Sequence, residues 1–386
     1  MGFHTADPGD VKAGLITDVY FQRTMEVLKA KNIRRRVRAE FIAKSLPEDW
    51  GWGVLAGLEE AAHLLGGVKV NVRAMREGEV FYPYQPVMEV EGVYADFGLY
   101  ETALLGLICQ ASGVATRAAR FRRLAGSRPV ISFGARRMHP VLAPMIERNA
   151  YIGGCDGVSV GKSAELIAET PMGTMPHALI ILLGDTVDAA RAYAEAVDPA
   201  VKRTVLIDTF GDEKFEAVRV AEAMGDALYA VRLDTPASRR GDFYRILEEV
   251  RWELDLRGFK GVKLFVSGGI KEADVPRLNP LVDGYGIGTS ISNAPVVDFA
   301  MDIVEVDGRP LAKRGKWSGG KDVLRCDACG RDMIAPRGAG PERCPCGGDV
   351  HNLLTPFMEN GVPARDMPSP REIREGVLER LSRLSL

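Results

Sequence analysis

Six short apolar runs follow one another through the middle of the chain. They read ISFGAR (131–136), GTMPHALIILLG (173–184, its polar cluster leading), VLIDTF (205–210), YAVRLDT (229–235), KLFVSGGI (263–270) and DGYGIGTS (283–290). A short apolar run between turn signals marks a strand buried on both faces. Helical periodicity fills the intervals, over 185–196, 214–224 and 240–256. Strands alternating with helices predict βα units and a parallel sheet. With a further run near 156, seven strands are expected, near 130, 156, 180, 206, 230, 264 and 284, one short of a full barrel. In these folds ligands gather at the carboxyl ends of the strands. There this sequence carries Arg136, Asp208, Thr209, Arg232, Asp234, Thr235, Ser267 and a set of glycines.

The pattern differs on either side of this repeat. Residues 1–115 read as a separate α+β domain, with helices over 16–30, 54–65 and 100–110 and strands over 69–73, 86–90 and 93–94, the last two flanking a hairpin turn at Glu91-Gly92. Residues 116–295 hold the α/β barrel. Residues 296–386 form a smaller C-terminal region that holds the segments 301–306 and 309–313, a cysteine cluster and a last amphipathic helix over 370–384. Ser369-Pro370 opens that helix as an N-cap followed by proline at the first helical position.

A chain of 386 residues exceeds one ordinary core, which agrees with this division. The net charge, 50 − 52 = −2, provides no global field for nucleic acid or membrane. The start is polar, unlike a signal peptide, and apolar stretches such as 103–114 are too short for a span. A soluble, cytoplasmic protein with no membrane or nucleic-acid partner is expected. The basic run Lys29, Lys31, Arg34, Arg35, Arg36, Arg38 reads either as a solvated helix face or as an anion contact.

Cys326-x-x-Cys329 and Cys344-x-Cys346 can place four sulfurs tetrahedrally around Zn²⁺, a structural site, with His351 in reserve should the shorter pair fail to reach. Ser267-Gly268-Gly269 and Gly286-x-Gly288-Thr289 end adjacent strands and suit a phosphate, because glycines bring backbone N–H groups close to an anion. The bland alternative is that glycine simply ends strands. Asp208-Thr209 and Asp234-Thr235 end consecutive strands and suit ribose hydroxyls or Mg²⁺, unless they only cap the following helices. His177 lies in the same ring of strand ends, where it is either a catalyst or a core and capping residue.

Taken in order, these residues resemble the nicotinate phosphoribosyltransferases, in particular the short archaeal type with a C-terminal cysteine knuckle. The resemblance runs along nearly the whole chain. Thr17-Asp18-Val-Tyr20, Glu101-Thr-Ala-Leu-Leu-Gly-Leu, Ser112-Gly113-Val-Ala-Thr116, Phe133-Gly134-Ala-Arg136, Gly173-Thr174-x-x-His177, the two Asp-Thr pairs, the glycine clusters and Lys316-Trp-Ser-Gly-Gly-Lys321 carry it. It implies an open seven-stranded (β/α) barrel beside an N-terminal α+β domain. It implies a homo-oligomer, a dimer or a hexamer, whose sites form between subunits. Phe133 and Tyr20 of the partner subunit would sandwich a pyridine ring, with Asp18 nearby and Ser159, rather than Asp156, facing the ring substituent. Arg136 would meet a pyrophosphate or the nicotinate carboxylate. Asp208, Arg232, Asp234 and Thr235 would address a ribose, and Ser267, Gly268, Gly269, Gly286, Gly288 and Thr289 its 5′-phosphate. His177 resembles the histidine that family members phosphorylate with ATP.

The implied reaction joins nicotinate to 5-phosphoribosyl 1-pyrophosphate, with Mg²⁺ accompanying that donor and ATP. The pyridine nitrogen has a free lone pair, so positioning and charge stabilisation should suffice. Quinolinate phosphoribosyltransferase is the alternative enzyme, its dicarboxylate calling on the basic run at 34–38. A non-catalytic barrel acting through its zinc knuckle is the alternative outside enzymes.

Overall fold

The chain leaves its first domain at residue 116 and returns to it at residue 295. The computed structural model describes residues 2–384. It divides into two compact units, one made of 1–116 with 295–386 and the other of 117–294.

The first unit is built on a seven-stranded sheet in the order Arg309–Pro310, Phe299–Val306, Arg36–Ala43, Pro86–Val93, Val70–Ala74, Thr355–Glu359, Val362–Pro363. Every adjacent pair is antiparallel. The C-terminal region is therefore no independent domain, because four of its strands complete the N-terminal sheet, while Lys321–Cys326, Asp332–Pro336 and Val350–Asn352 form a small sheet of their own. Alternating Val37, Ala39 and Phe41 pack with Val72, Val90, Val297 and Phe299 in one core. Two local expectations change. Pro86–Val93 runs straight through Glu91-Gly92, with Gly92 opposite both Val37 and Val70, so no hairpin forms there. The basic run ends in strand, not helix, and its arginines are engaged: Arg34 with Asp96 at 2.9 Å, Arg36 with Glu91 at 2.9 Å, and Arg38 with Glu91 at 2.9 Å.

Residues Tyr94–Ala125 are, by length and composition, helical and apolar enough to cross a membrane. The stretch at 103–114 looked too short for that because the helix continues on both sides of it. Its Leu104, Ile108 and Ala111 are fully buried, the pattern of a core helix. The last helix, Pro370–Leu381, forms as expected, with Ser369 and Glu372 in a reciprocal capping box.

The second unit holds a six-stranded parallel sheet that curls into an open half-barrel, in the order Gly157–Val158, Val130–Ser132, Gly284–Ile287, Lys263–Val266, Ala230–Leu233, Thr204–Leu206. First and last strands of the repeat are neighbours, so the opening lies between Gly157–Val158 and Thr204–Leu206. The seventh expected strand would have filled this gap. Instead residues 177–183 form a helix, His177–Leu183. An apolar run cannot by itself distinguish a strand from a helix. Here Pro176 withholds an N–H from any sheet ladder, Leu-rich HALIILL favours helix, and left-handed Gly184 closes it.

Candidate active site

Helix capping in the half-barrel is done by Asp185, Asp212 and Asp242, whose carboxylates accept N–H bonds from the first turns of the helices they open. Asp208 and Asp234 are thus released from capping, and both turn toward His177. His177 Nε2 lies 3.9 Å from Asp208 Oδ1 and 3.9 Å from Asp234 Oδ2. Its Nδ1 lies 2.9 Å from the Thr209 hydroxyl. Asp208 accepts the Asp234 N–H at 3.1 Å, and Asp234 accepts the Ser267 hydroxyl at 2.8 Å. Asp208 Oδ1 is buried with no hydrogen-bond partner. Burial pushes the Asp208 carboxyl above its ordinary range; the nearby imidazole opposes that rise and the Asp234 carboxylate adds to it.

Of these groups His177, Asp234 and Ser267 line a cavity of about 340 Å³ at the carboxyl ends of the strands; Asp208 and Thr209 stand outside the lining, in contact with His177. Phe133, Arg136, Ser159, Arg232, Ser267, Gly268, Gly269, Gly286, Gly288 and Thr289 line it with His177. Phe133 lies across the sheet because Gly286 has no side chain: a Cβ there would sit 2.3 Å from the ring. Arg232 approaches the same ring, its guanidinium 5.7 Å from the centroid, and donates to the Met175 carbonyl at 3.3 Å. Its Nε is buried without a partner, and burial lowers its pKa, the acids beside it opposing. The two glycine clusters form one cradle. Gly268 has φ +82 and lies against the Asp234 carbonyl, and the Ser290 hydroxyl donates to the Ile270 carbonyl at 2.8 Å, tying the two loops together.

Some anticipated residues stand elsewhere. Thr235 is buried and donates to Glu213 at 2.7 Å, away from the cavity lining. Asp18 exchanges hydrogen bonds with Thr102 in the first unit, and Tyr20 is exposed on the helix Val19–Ala30 of that unit. Asp156 accepts from Arg122 at 2.5 Å and from the Val130 N–H at 2.8 Å, so it braces the sheet. Lys321 is buried against Glu40 at 2.8 Å. Sequence reasoning passed over Arg137, which lines the cavity, and Glu147, which holds Ser159. A lone glutamate among buried Ile146, Ala150 and Tyr151 was the available signal for the second.

In the first unit, the sulfurs of Cys326, Cys329, Cys344 and Cys346 all lie within 4.8 Å of one another, a group that could hold a metal ion. The short Cys-Pro-Cys spacing reaches, with Cys326 and Cys346 sulfurs 3.5 Å apart and Cys329 and Cys344 sulfurs 3.7 Å apart. The Cys329 N–H toward Cys326 leads the influences that lower the Cys326 pKa to about 7. His351 is not needed: it pairs with Asp327 at 2.6 Å.

Residues 18–112 match the family profile for the quinolinate phosphoribosyl transferase N-terminal domain, and residues 114–302 that for its C-terminal domain. A nicotinate phosphoribosyltransferase of Mycobacterium tuberculosis is 31% identical, over 92% of this chain and 87% of that one. The crystal structure of a nicotinate-nucleotide pyrophosphorylase from Pyrococcus furiosus is 53% identical, covers 100% of both chains and superposes with a TM-score of 0.98. Human nicotinic acid phosphoribosyltransferase shares the fold at a TM-score of 0.77 and 21% identity, over 96% of this chain and 94% of that one.

Proposed function

Because this chain belongs to the nicotinate phosphoribosyltransferase family and is an enzyme of that type, we propose that its half-barrel cavity joins nicotinate to 5-phosphoribosyl 1-pyrophosphate, with ATP coupled through His177. One observation carries the reading: a stacking ring, guanidinium groups, a carboxylate, a histidine and a glycine cradle line one cavity, with the second carboxylate, Asp208, 3.9 Å from the histidine.

The pyridine ring would lie on Phe133, against the face that Arg232 approaches from the other strands. Ser159 donates its hydroxyl hydrogen to Glu147 at 2.8 Å, leaving only oxygen lone pairs for the cavity. A carboxylate on the ring is therefore better met by the guanidinium of Arg136 or Arg137 than by Ser159. The ribosyl donor's 5′-phosphate fits the cradle of Gly268, Gly269 and Gly288, where backbone N–H groups face an anion. The ring nitrogen then bonds to the ribose C1 as the bond from C1 to the pyrophosphate oxygen breaks, and that oxygen keeps the electron pair. No proton moves. Asp208 and Asp234 stabilise the positive charge that develops on the ribosyl group, and Arg136 the departing anion. The same two carboxylates, one with an unpartnered oxygen, fit a Mg²⁺ that accompanies the donor and shields its phosphates.

His177 would take the phosphoryl group on Nε2, since Nδ1 faces Thr209. The assembly is a homo-oligomer in which Tyr20 of the partner subunit covers the ring, a role that suits its 56% exposure here. Zn²⁺ in the cysteine cluster would be structural, because four thiolates close its coordination.

The test is nucleotide formation from nicotinate, nicotinamide and quinolinate, each with and without ATP. Nicotinate mononucleotide from nicotinate, faster with ATP, is expected; product from nicotinamide alone would refute the substrate choice. Replacing His177 by Ala should abolish ATP stimulation, and full stimulation in that variant would refute the coupling. Quinolinate stands as a second reading because the matched family profiles carry its name. Against it, the basic run that a dicarboxylate would call on is engaged in ion pairs. Release of carbon dioxide from quinolinate decides between them.

A further inference from the structure

Glu147 is a fully buried carboxylate on the helix Ala143–Ile152, outside the cavity lining, and it reaches that lining through Ser159. It accepts three hydrogen bonds: from the Ser159 N–H at 2.9 Å, the Ser159 hydroxyl at 2.8 Å and the Val160 N–H at 3.0 Å. The arrangement fixes two backbone positions and one hydroxyl rotor at once. Ser159 follows directly on the two-residue strand Gly157–Val158, an edge strand at the opening of the half-barrel, so it has a sheet neighbour on one side only. An edge strand leaves backbone N–H groups without a ladder partner, and Glu147 takes up those of Ser159 and Val160.

We propose that Glu147 is a positioning residue for the acceptor pocket: it pins the 159–160 turn and with it the Ser159 side of the cavity wall. The inference rests on the reading of this cavity as the site where the pyridine binds, without depending on which pyridine that is. Glutamine at 147 would present an N–H₂ to a turn that offers only donors. One N–H of the turn, or the Ser159 hydroxyl, would lose its partner and the turn would shift.

The experiment is steady-state kinetics of Glu147→Gln, Glu147→Asp and Ser159→Ala, using whichever of nicotinate, nicotinamide or quinolinate the wild type consumes. Glu147→Gln should raise KM for the pyridine by about tenfold, the effect of leaving one buried N–H of the turn unpaired. KM for the ribosyl donor and kcat at saturation should stay within about twofold. Glu147→Asp keeps a carboxyl group and should recover most of the loss. Ser159→Ala removes one of the three donors and leaves both turn N–H groups on Glu147, so it should raise pyridine KM by less than Glu147→Gln. If the glutamine variant does not fold, Glu147→Asp, whose shorter side chain stretches the same bonds, should still raise pyridine KM alone, by about twofold to threefold. A lowered melting temperature with unchanged pyridine KM, an equal rise in both KM values, or a Ser159→Ala effect as large as that of Glu147→Gln would each overturn the positioning role. Failure of nicotinate turnover in the wild type falls on the proposed substrate alone.

Discussion

A methyl group at position 286 has nowhere to go. Gly286→Ala places its Cβ where the Phe133 ring edge now lies, so the ring must turn out of the cavity. Pyridine KM should rise by about tenfold, with little change in the melting curve, since misplacing a contact surface costs binding and orientation. An unchanged KM would mean that Phe133 is not the stacking platform. Glu101 makes a prediction in pH. Burial raises its pKa to about 7, with Asp302 and Asp18 adding to the rise and Lys313 opposing. A carboxyl raised in the folded state binds protons there that the unfolded chain has already lost. Stability must therefore fall as pH climbs from the ordinary carboxylate range to about 7. Glu101→Gln should remove that fall, melting about 2 °C above the wild type at pH 8 and level with it at pH 4. Equal melting differences at the two pH values would show that Glu101 titrates normally. At this scale His177, Asp208, Asp234 and the glycines were legible because strand ends point to ligands. Thr235 and Ser159 were legible only as positions. Which way each hydroxyl turns is decided by Glu213 and Glu147, from other elements, and no local pattern carries that.

The elements of the second unit were read correctly where an apolar run is β-branched and bounded by turns, as in Thr204–Leu206 and Ala230–Leu233. The reading failed at 177–183, where a run of leucines, isoleucine and alanine satisfies either geometry until the proline before it and the glycine after it are weighed. It failed again at 86–93, where a turn dipeptide sits inside a strand paired on both sides. The cysteine element was legible from spacing alone. It is bound into the first unit: Arg325, beside Cys326, pairs with Asp332 at 2.7 Å and Glu79 at 2.5 Å, and Arg380 of the last helix reaches the same Glu79 at 2.9 Å. Metal analysis should find one zinc per chain. Cys344→Ser should lose it and lower the melting midpoint of the first unit by several degrees, on the order of 5 °C, because a structural site contributes its binding energy to folding. Zinc-stripped wild-type protein with the same midpoint as the zinc-loaded form would refute a structural metal.

At the scale of the molecule, two units rather than three follow from where the sheet partners lie. Sequence could mark the segment 301–306 but not its mates, since antiparallel pairing across some 260 residues leaves no periodic trace; Val37 faces Val306. A chain ending at residue 295 would thus lack more than a tail. It would strip the central strand Arg36–Ala43 of its partner Phe299–Val306. Such a truncation should lose the calorimetric transition of the first unit and aggregate; a soluble product with both transitions would show that the N-terminal part folds alone. The same discontinuity matters during synthesis. The whole second unit must leave the ribosome before the first can close. At about 5–20 residues per second, its 294 − 117 + 1 = 178 residues take on the order of 10–35 s to translate. Through that interval the nascent strand at 36–43 carries an uncovered edge, a natural client for a holding chaperone, and the catalytic barrel is ready before the domain that precedes it in the gene.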